Sequence, residues 1–292
     1  MATRDYVILT DSNCDLSDET CAQLGVRLVY MPYIIGEEDF SGAPDNRLDL
    51  NEFYNRMRDG QPTKTYQKSP EEYRLAYEAI LAEEKDILVI AFSSQLSNTY
   101  NNSVLMARQM MEDHPEAHIL VVDSQNATGG QALLVELAAR KKAEGATLEE
   151  NARYLSQVRD QIGIYFFVDD LEYLYRGGRL SKAGAVVGTI IGVKPIIRVA
   201  KDGSLQTTDK VRGRKKAIAY LAEKTIQQLD SALCSKVYLI SAQSDEDALE
   251  LGRMVLAQHP ECDLELMPLG CCIGAHTGPG TLGIAFAAKE WF

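Results

Sequence analysis

The segment IGAHTGPGTLGIAF, residues 273–286, contains the side chain best suited to chemistry in the last part of the chain. His276 is one of only four histidines, and it stands among four glycines and a proline. A histidine ring can take a proton from a nucleophile or hydrogen-bond a carboxylate near neutral pH. Glycine lets the backbone approach a ligand closely. The sequence therefore predicts a glycine-rich turn at His276 whose backbone closely approaches a ligand or a neighbouring chain.

Hydroxyl and amide side chains concentrate in four other short segments. These are TDSN from residue 10, PTKTYQKS from residue 62, SSQLSNT from residue 93 and DSQNATGG from residue 123. Three of them follow predicted strands, where open parallel sheets bind ligands. Ser97 has three interpretations at this point: the N-cap of a helix near Asn98, a ligand-binding hydroxyl, or a nucleophile with His276 as its base. Thr65 and Gln67 would join a site if their loop turns inward.

Residue spacing disfavours several common sites. The run GPGTLG matches G-x-G-x-x-G, but only nine residues follow it, too few for the helix and acidic residue of a dinucleotide site. The sequence has no G-x4-G-K-[ST] phosphate loop, and its serines are not set in a G-x-S-x-G elbow. Pro115 stands between His114 and His118, and no acidic residue at suitable spacing completes a zinc site. We expect no metal and no cofactor.

Composition points to a globular protein of the cytoplasm. Hydrophobic residues make up 46% of the 292 residues and charged residues 25%, as in ordinary soluble domains. No apolar run approaches the ~20 residues that span a bilayer, and the start MATRDYVILTDS does not resemble a secretory signal. The six cysteines show no C-x-x-C spacing, so we expect reduced thiols and no integral membrane segment.

Charge is distributed unevenly along the chain. The net charge is −12, which argues against nucleic acid as a partner. The stretch 176–216 nevertheless contains eleven lysines and arginines against two aspartates, which leaves −21 for the rest of the chain. Such a stretch is typical either of a docking surface for an anionic partner or of a solvated basic face. A third interpretation is that its arginines pair with local carboxylates such as Asp169 and Asp170.

Alternating apolar strands and helices of 10–17 residues predict an α/β fold. The first 160 residues favour a mostly parallel, Rossmann-like sheet with helices on both faces. In that part VRLVYMPYII, from residue 26, is predicted as one strand, and Ser69 as the N-cap of a helix that begins at Pro70. Residues 161–292 favour a mixed α/β domain with a hairpin turn at Asp202 and Gly203. We expect two α/β domains, 1–160 and 161–292.

Eight segments together resemble one known family along nearly the whole chain. They are TDSNCDL, KTYQKSPEEY, SSQLSNTYNNS, VVDSQNATGG, LEYLYRGGRLS, VKPIIRVAKDGSL, KVRGRKKA and IGAHTGPGTLGIAF. This set resembles the DegV family of bacterial fatty acid-binding proteins, which includes the binding subunits of fatty acid kinase. The resemblance implies one long-chain fatty acid, such as palmitate, in a cavity between two α/β domains. It also implies a non-catalytic carrier whose partner is a kinase subunit similar to dihydroxyacetone kinase.

The resemblance assigns the fatty acid carboxyl group to Thr65, Ser97 and His276. Further residues are expected to line the pocket, namely Gln67, Ser94, Thr277 and Ile190, the last within the apolar stretch 183–193. The basic stretch is expected to dock the kinase through three arginines, namely Arg176, Arg179 and Arg212. The sequence departs from the family pattern at three positions: Tyr66 stands where serine is usual, Lys68 where proline is frequent, and Asn98 where glycine is usual.

Two other functions remain open from the sequence. One is a hydrolase or acyltransferase that uses Ser97 and His276 on acyl substrates. The other is a passive lipid store that works without a kinase. Lipid that copurifies with the protein would favour the carrier or the store over the enzyme. ATP-dependent turnover that requires a second protein would separate the carrier from the store.

Overall fold

The computed structural model describes residues 4–180 and 192–290. Within them the strands are β1 (Tyr6–Asp11), β2 (Val26–Val29), β3 (Tyr33–Ile35), β4 (Glu38–Phe40), β5 (Thr63–Thr65), β6 (Asp86–Ala91), β7 (Ile119–Asp123), β8 (Ile162–Phe167), β9 (Val193–Val199), β10 (Leu205–Arg212), β11 (Lys236–Ser241), β12 (Asp263–Pro268) and β13 (Leu282–Ala287). The α-helices are α1 (Asp18–Leu24), α2 (Leu50–Arg58), α3 (Pro70–Leu81), α4 (Thr99–Asp113), α5 (Thr128–Ala143), α6 (Leu148–Val158), α7 (Glu172–Arg176), α8 (Arg214–Gln228), α9 (Asp245–Leu256) and α10 (Cys271–Thr277).

The first half of the chain forms a parallel sheet in the order β2-β1-β6-β7. Alternate residues of its strands point to opposite faces, so each face has its own core. Val7 and Leu9 pack with α3 and α4, whereas Tyr6 and Ile8 pack with α5 and α6. This confirms the predicted parallel sheet with helices on both faces.

The second half forms a mixed sheet in the order β10-β9-β8-β13-β11-β12. Only β11 and β12 pair in parallel among these strands; the other neighbours are antiparallel. The hairpin of β9 and β10 turns at Gly203, whose φ of +90° suits glycine. The α/β fold class and the mixed character of this half are as predicted. The boundary predicted at 160/161 falls in the 3-10 turn Arg159–Gln161 and stays a prediction.

Helix α5 lies between the two sheets and packs against both. Its residues from Thr128 to Val135 are all buried, so protein encloses this part of the helix on every side, although Thr128 and Gln131 are polar. A Cβ at Gly129 would lie 2.9 Å from the Cβ of Tyr238 in β11, closer than side chains tolerate. The glycines at the start of α5 therefore allow the second sheet to come close. This contact joins the halves and sets the space between them.

The stretch 26–35 forms two strands, so the prediction of one strand was wrong. β2 pairs with β1 in the parallel sheet, whereas β3 pairs with β4 and β5 in a small antiparallel sheet. Pro32 interrupts the run between them, because proline offers no N–H for a ladder. The loop predicted at 62–69 contains β5 in its place, and Ser69 caps α3 with Glu72 in a capping box, as predicted. No helix in the described ranges is long and apolar enough to cross a membrane.

Candidate functional site

A cavity of about 450 Å³ lies between the two sheets. Its walls come from both halves of the chain: Phe92 and Leu96 follow β6, Ile164 and Phe166 belong to β8, and Ile240 belongs to β11. The strand residues recur at every second position, so they share the face that meets α5. Most of the wall is apolar, and its volume lies in the range of small-molecule pockets.

Polar side chains gather at one end of this cavity. The Thr65 Oγ1 lies 2.6 Å from His276 Nε2, which joins residues 211 positions apart in the sequence. Pairing of β5 with β3 places Thr65 beside Tyr33, and Thr63 Oγ1 donates a hydrogen bond to the Ala275 carbonyl oxygen at 3.0 Å. The small sheet thereby fixes Thr65 against α10. The predicted inward turn of this segment is how Thr65 reaches the cavity.

His276 lies in helix α10, so the predicted glycine-rich turn was wrong for this residue. The glycine that makes room for its ring is Gly177, which follows α7: a Cβ there would overlap His276 Nδ1. Burial, reinforced by the Arg179 guanidinium nearby, lowers the pKa of His276 to about 4. The ring is therefore neutral at pH 7. Its Nδ1 is buried and has no hydrogen-bond partner among the described residues.

The neutral ring can carry its proton on either nitrogen, and burial favours one tautomer. A proton on Nδ1 would leave a buried donor without a partner, which costs more than an unpaired lone pair. With the proton on Nε2, His276 donates to Thr65 Oγ1 at 2.6 Å. The hydroxyl hydrogen of Thr65 is then available to an acceptor. The end of the cavity thus offers a hydrogen-bond donor.

Ser97 contacts the start of helix α4 and also lies in the cavity wall. Its Oγ accepts a hydrogen bond from the Thr99 N–H at 3.3 Å and lies 2.8 Å from Thr99 Oγ1, at the start of α4. Asn98, the residue before the helix, makes no side-chain capping bond. Ser97 also lines the cavity. The described contacts pair Ser97 with Thr99 and His276 with Thr65, rather than Ser97 with His276.

The other expected pocket residues divide into three groups. Gln67 and Thr277 line the cavity, as does Tyr66, whose hydroxyl donates to Asp39 Oδ1 at 2.7 Å. Ser94 is not part of the described wall; its N–H donates to an Asp123 carboxylate oxygen at 3.2 Å. Ile190 and most of the apolar stretch 183–193 lie outside the described residues.

The three arginines expected at a docking surface have different surroundings. Arg179 turns inward: it lines the cavity, and its Nε donates to the Leu96 carbonyl oxygen at 3.1 Å. The reason is the turn at Gly178, whose φ of +69° sends the chain back towards α7. Arg176 is exposed and lies over the Tyr173 ring at 4.9 Å, and Arg212 is exposed at the end of β10.

Some basic residues of this stretch form ion pairs with nearby carboxylates. Asp169 pairs with Lys194 at 2.6 Å and with Arg214 at 2.8 Å. Arg214 also reaches Asp247, so it belongs to the fold of the second half. The interpretation that arginines of this stretch pair with Asp169 is therefore confirmed for Arg214. Exposed cations remain on the same stretch, including Arg176, Arg212, Lys215 and Lys216.

Several wall residues were not selected from the sequence. Asn13 and Thr128 belong to polar segments already noted, but nothing in the pattern distinguished them from their neighbours. Met31 and Leu269 are apolar residues that a core would also use. In the described part of the chain, no group of three or more His, Cys, Asp or Glu side chains is arranged to hold a metal.

Comparison with known proteins places this architecture in a family. A family model described as "Uncharacterised protein, DegV family" matches residues 5–289. The chain belongs to the DegV family. The match covers both sheets and the cavity between them, in agreement with the resemblance of the eight segments.

Relatives of this DegV chain match it over nearly their full length. A DegV domain-containing protein of Clostridium perfringens is 32% identical over 283 residues, which cover 97% of each chain. A Thermotoga maritima protein named fatty acid-binding protein is 32% identical over 291 residues, covering 97% of this chain and 98% of that protein. The crystal structure of DegV, a fatty acid binding protein from Bacillus subtilis, is similar with a TM-score of 0.85 at 26% identity, covering 98% and 100%.

Proposed function

We propose that this DegV protein binds one long-chain fatty acid in the cavity between its sheets. The observation that carries the proposal is the shape of the site: an apolar cavity of about 450 Å³ with Thr65 and His276 hydrogen-bonded at one end. A fatty acid has the complementary form, an apolar chain with one polar end. Each buried methylene contributes about 0.8 kcal/mol, so a sixteen-carbon chain offers roughly 11 kcal/mol before ordering costs.

The polar end is suited to a carboxylate. The Thr65 hydroxyl can donate to one carboxylate oxygen, and Ser97 lies in the same cavity wall. Arg179 brings a positive charge close enough to lower the pKa of His276, so it also offsets the charge of a carboxylate. We therefore assign the carboxyl group to Thr65, Ser97 and His276, with Arg179 as the nearby cation. The relatives named as fatty acid-binding proteins support this assignment.

Lipid analysis tests the binding proposal directly. Purified protein, denatured and extracted, is expected to release close to one long-chain fatty acid per chain by mass spectrometry. Added palmitate at 100 times its dissociation constant is expected to raise the free energy of unfolding by about 2.7 kcal/mol. Repeated extracts without fatty acid, together with an unchanged melting temperature in palmitate, would refute it.

We further propose that the bound carboxyl group is presented to a separate ATP-dependent kinase. In that reaction a carboxylate oxygen attacks the γ-phosphorus of ATP held by the partner, the bond to ADP breaks, and an acyl phosphate forms. The exposed arginines Arg176 and Arg212 would meet the partner, because a cationic face steers encounter with an anionic complex. The resemblance to binding subunits of fatty acid kinase supports this partner, and the expected location is the cytoplasm.

Charge reversal tests the docking proposal. Arg176→Glu and Arg212→Glu are expected to keep bound lipid and to lose at least tenfold in kinase-dependent phosphorylation. The wild-type rate should fall as salt rises, because screening weakens exposed charges. Arg253→Glu, at an exposed arginine of α9 outside the basic stretch, is the matched control. Normal phosphorylation of both arginine variants would show that Arg176 and Arg212 face solvent and do not dock the kinase.

The contacts at the site favour a carrier over a hydrolase. A serine nucleophile needs a base within hydrogen-bond reach, whereas His276 is bonded to Thr65 and Ser97 to Thr99. A histidine whose pKa is lowered to about 4 is also a weak base at pH 7. We therefore propose a non-catalytic protein that works without a cofactor of its own.

A further inference from the structure

The cavity between the sheets reaches solvent beside its polar end. Among the described wall residues only Tyr66 and Gln67 are exposed, Tyr66 to 44%, and the others are buried or half-buried. A side chain that lines a cavity and is also exposed lies where the cavity meets solvent. Tyr66 and Gln67, which we call the mouth, directly follow Thr65 in the chain. The mouth therefore adjoins the hydrogen bond between Thr65 and His276.

The backbone of the mouth is fixed on both sides. Thr65 ends β5, which pairs with β3 in the small sheet. On the other side, the Lys68 carbonyl oxygen accepts a hydrogen bond from Asn102 Nδ2 at 2.9 Å, and Ser69 caps α3. Two residues between such anchors have little backbone freedom. Movement at the mouth is therefore left to side-chain rotation, which is fast for exposed residues.

A hydrogen bond to the small sheet holds the Tyr66 side chain. Its hydroxyl donates to Asp39 Oδ1 at 2.7 Å, and Asp39 belongs to β4, an edge strand of that sheet. Burial and the Asp39 carboxylate raise the pKa of Tyr66 to about 12, so the hydroxyl keeps its proton at pH 7. Hydrogen bonds to charged acceptors are stronger than those between neutral groups. The Tyr66 ring is thereby kept in the cavity wall.

We propose that Tyr66 gates the cavity and that its bond to Asp39 slows entry and release of the fatty acid, an inference that rests on the proposed binding of fatty acids. The bond involves no ligand atom, so we expect it in both the free and the loaded protein. Passage through the mouth requires the ring to rotate away, which breaks the bond. The bond therefore raises the barrier equally in both directions and leaves the affinity unchanged.

The gate is specific to the residue that this chain has at position 66. Serine, the usual residue there in the family pattern, has no ring to narrow the opening, and its side chain is too short to replace the tyrosine bond to Asp39. We therefore expect this protein to exchange fatty acid more slowly than its own Tyr66→Ser variant.

Exchange kinetics test the gate. Protein loaded with a fluorescent fatty acid is mixed with excess palmitate to measure release, and delipidated protein is mixed with the same probe to measure association. Tyr66→Phe keeps the ring and loses the bond, so both rates are expected to rise at least about threefold, with affinity within about twofold of wild type. Tyr66→Ser also removes the ring and is expected to release the probe at least about tenfold faster.

Variants at Asp39 show whether the bond itself is responsible. Asp39→Ala is expected to reproduce the rates of Tyr66→Phe, and the double variant should exchange no faster, because both changes remove the same bond. Tyr30→Phe is the matched control: it loses a tyrosine bond to Asp18, at 2.5 Å, away from the described wall of this cavity. Its exchange rates should equal those of wild type.

Three outcomes would count against these proposals. Wild-type exchange rates in Tyr66→Phe would overturn the gate. Faster release with an unchanged association rate would also overturn it, because Tyr66 would then be an ordinary wall contact. Thermal melts show whether Tyr66→Phe folds, and Asp39→Ala carries the test if it does not. Failure of the wild-type protein to bind the probe and palmitate would instead overturn the proposed function.

Discussion

Gly177 is the position where one added methyl group tests the carboxyl site without removing any of its polar atoms. Its φ is in the ordinary negative range, so alanine suits the backbone. The added Cβ would overlap His276 Nδ1, closer than real Cβ atoms approach. Since residue 177 and the start of the His276 side chain are both held by backbone, the His276 ring must move. The 2.6 Å contact from His276 Nε2 to Thr65 Oγ1 is then lost. We expect Gly177→Ala to weaken the carboxyl site.

The expected loss of palmitate affinity follows from the hydrogen bonds to the carboxylate. A hydrogen bond to a charged group contributes about 1.5–3 kcal/mol, which corresponds to a loss of about one to two decades in palmitate affinity. Displacement titration with a fluorescent fatty acid measures it, and thermal melting confirms that the variant folds. Chain burial is unaffected, so binding should weaken rather than vanish.

The neighbouring glycine is the matched control. Gly178 has a φ of +69°, and a Cβ there would meet nothing within 4 Å. Gly178→Ala therefore adds backbone strain of about 1–2 kcal/mol but leaves His276 in place. It should melt earlier than wild type with unchanged palmitate affinity. Wild-type affinity in Gly177→Ala, or equal weakening in both variants, would refute the reasoning.

Three further predictions concern the same site. Burial and Arg179 lower the pKa of His276 to about 4 in the folded protein. As the pH falls, the histidine of the unfolded chain therefore takes up a proton before that of the folded protein. The stability that depends on the neutral ring is then lost between about pH 6.5 and pH 4. Thermal melts across this range should show a shallower decline in His276→Gln, and identical profiles would contradict the assignment. Ser97→Ala is expected to lower palmitate affinity about tenfold, whereas Ser94→Ala, off the described wall, should not. The protein alone should not hydrolyse a fluorogenic acyl ester, and activity that disappears in Ser97→Ala would favour the hydrolase.

Local signals predicted most of the secondary structure because they act within a few residues. Ser69 with Glu72 and Thr147 with Glu150 form the capping boxes that their spacing indicates. The secondary-structure prediction failed where pairing with strands elsewhere in the sequence decided how a segment folds. The run VRLVYMPYII divides because β3 finds its partners in β4 and β5, a small sheet that no periodicity indicated.

The candidate site was reached from the sequence by residue type and by family resemblance rather than by contact. Thr65, Ser97 and His276 were named, and all three line the cavity. The inward turn of Arg179 was not foreseen, because a glycine turn in the sequence does not say which way its neighbours point. The role of Gly177 against the His276 ring was likewise invisible, since 99 positions separate them.

The sequence by itself determined the alternation of strands and helices, the polar segments at strand ends and the family. These depend on the order of side chains along a short stretch of backbone. Only the tertiary structure decided that Thr65 pairs with His276, that Arg179 faces the cavity, and that Asn13 is an unpaired acceptor in its wall. The physical reason is that α5 packs between two sheets, and the space left beside it depends on contacts between residues more than 100 positions apart.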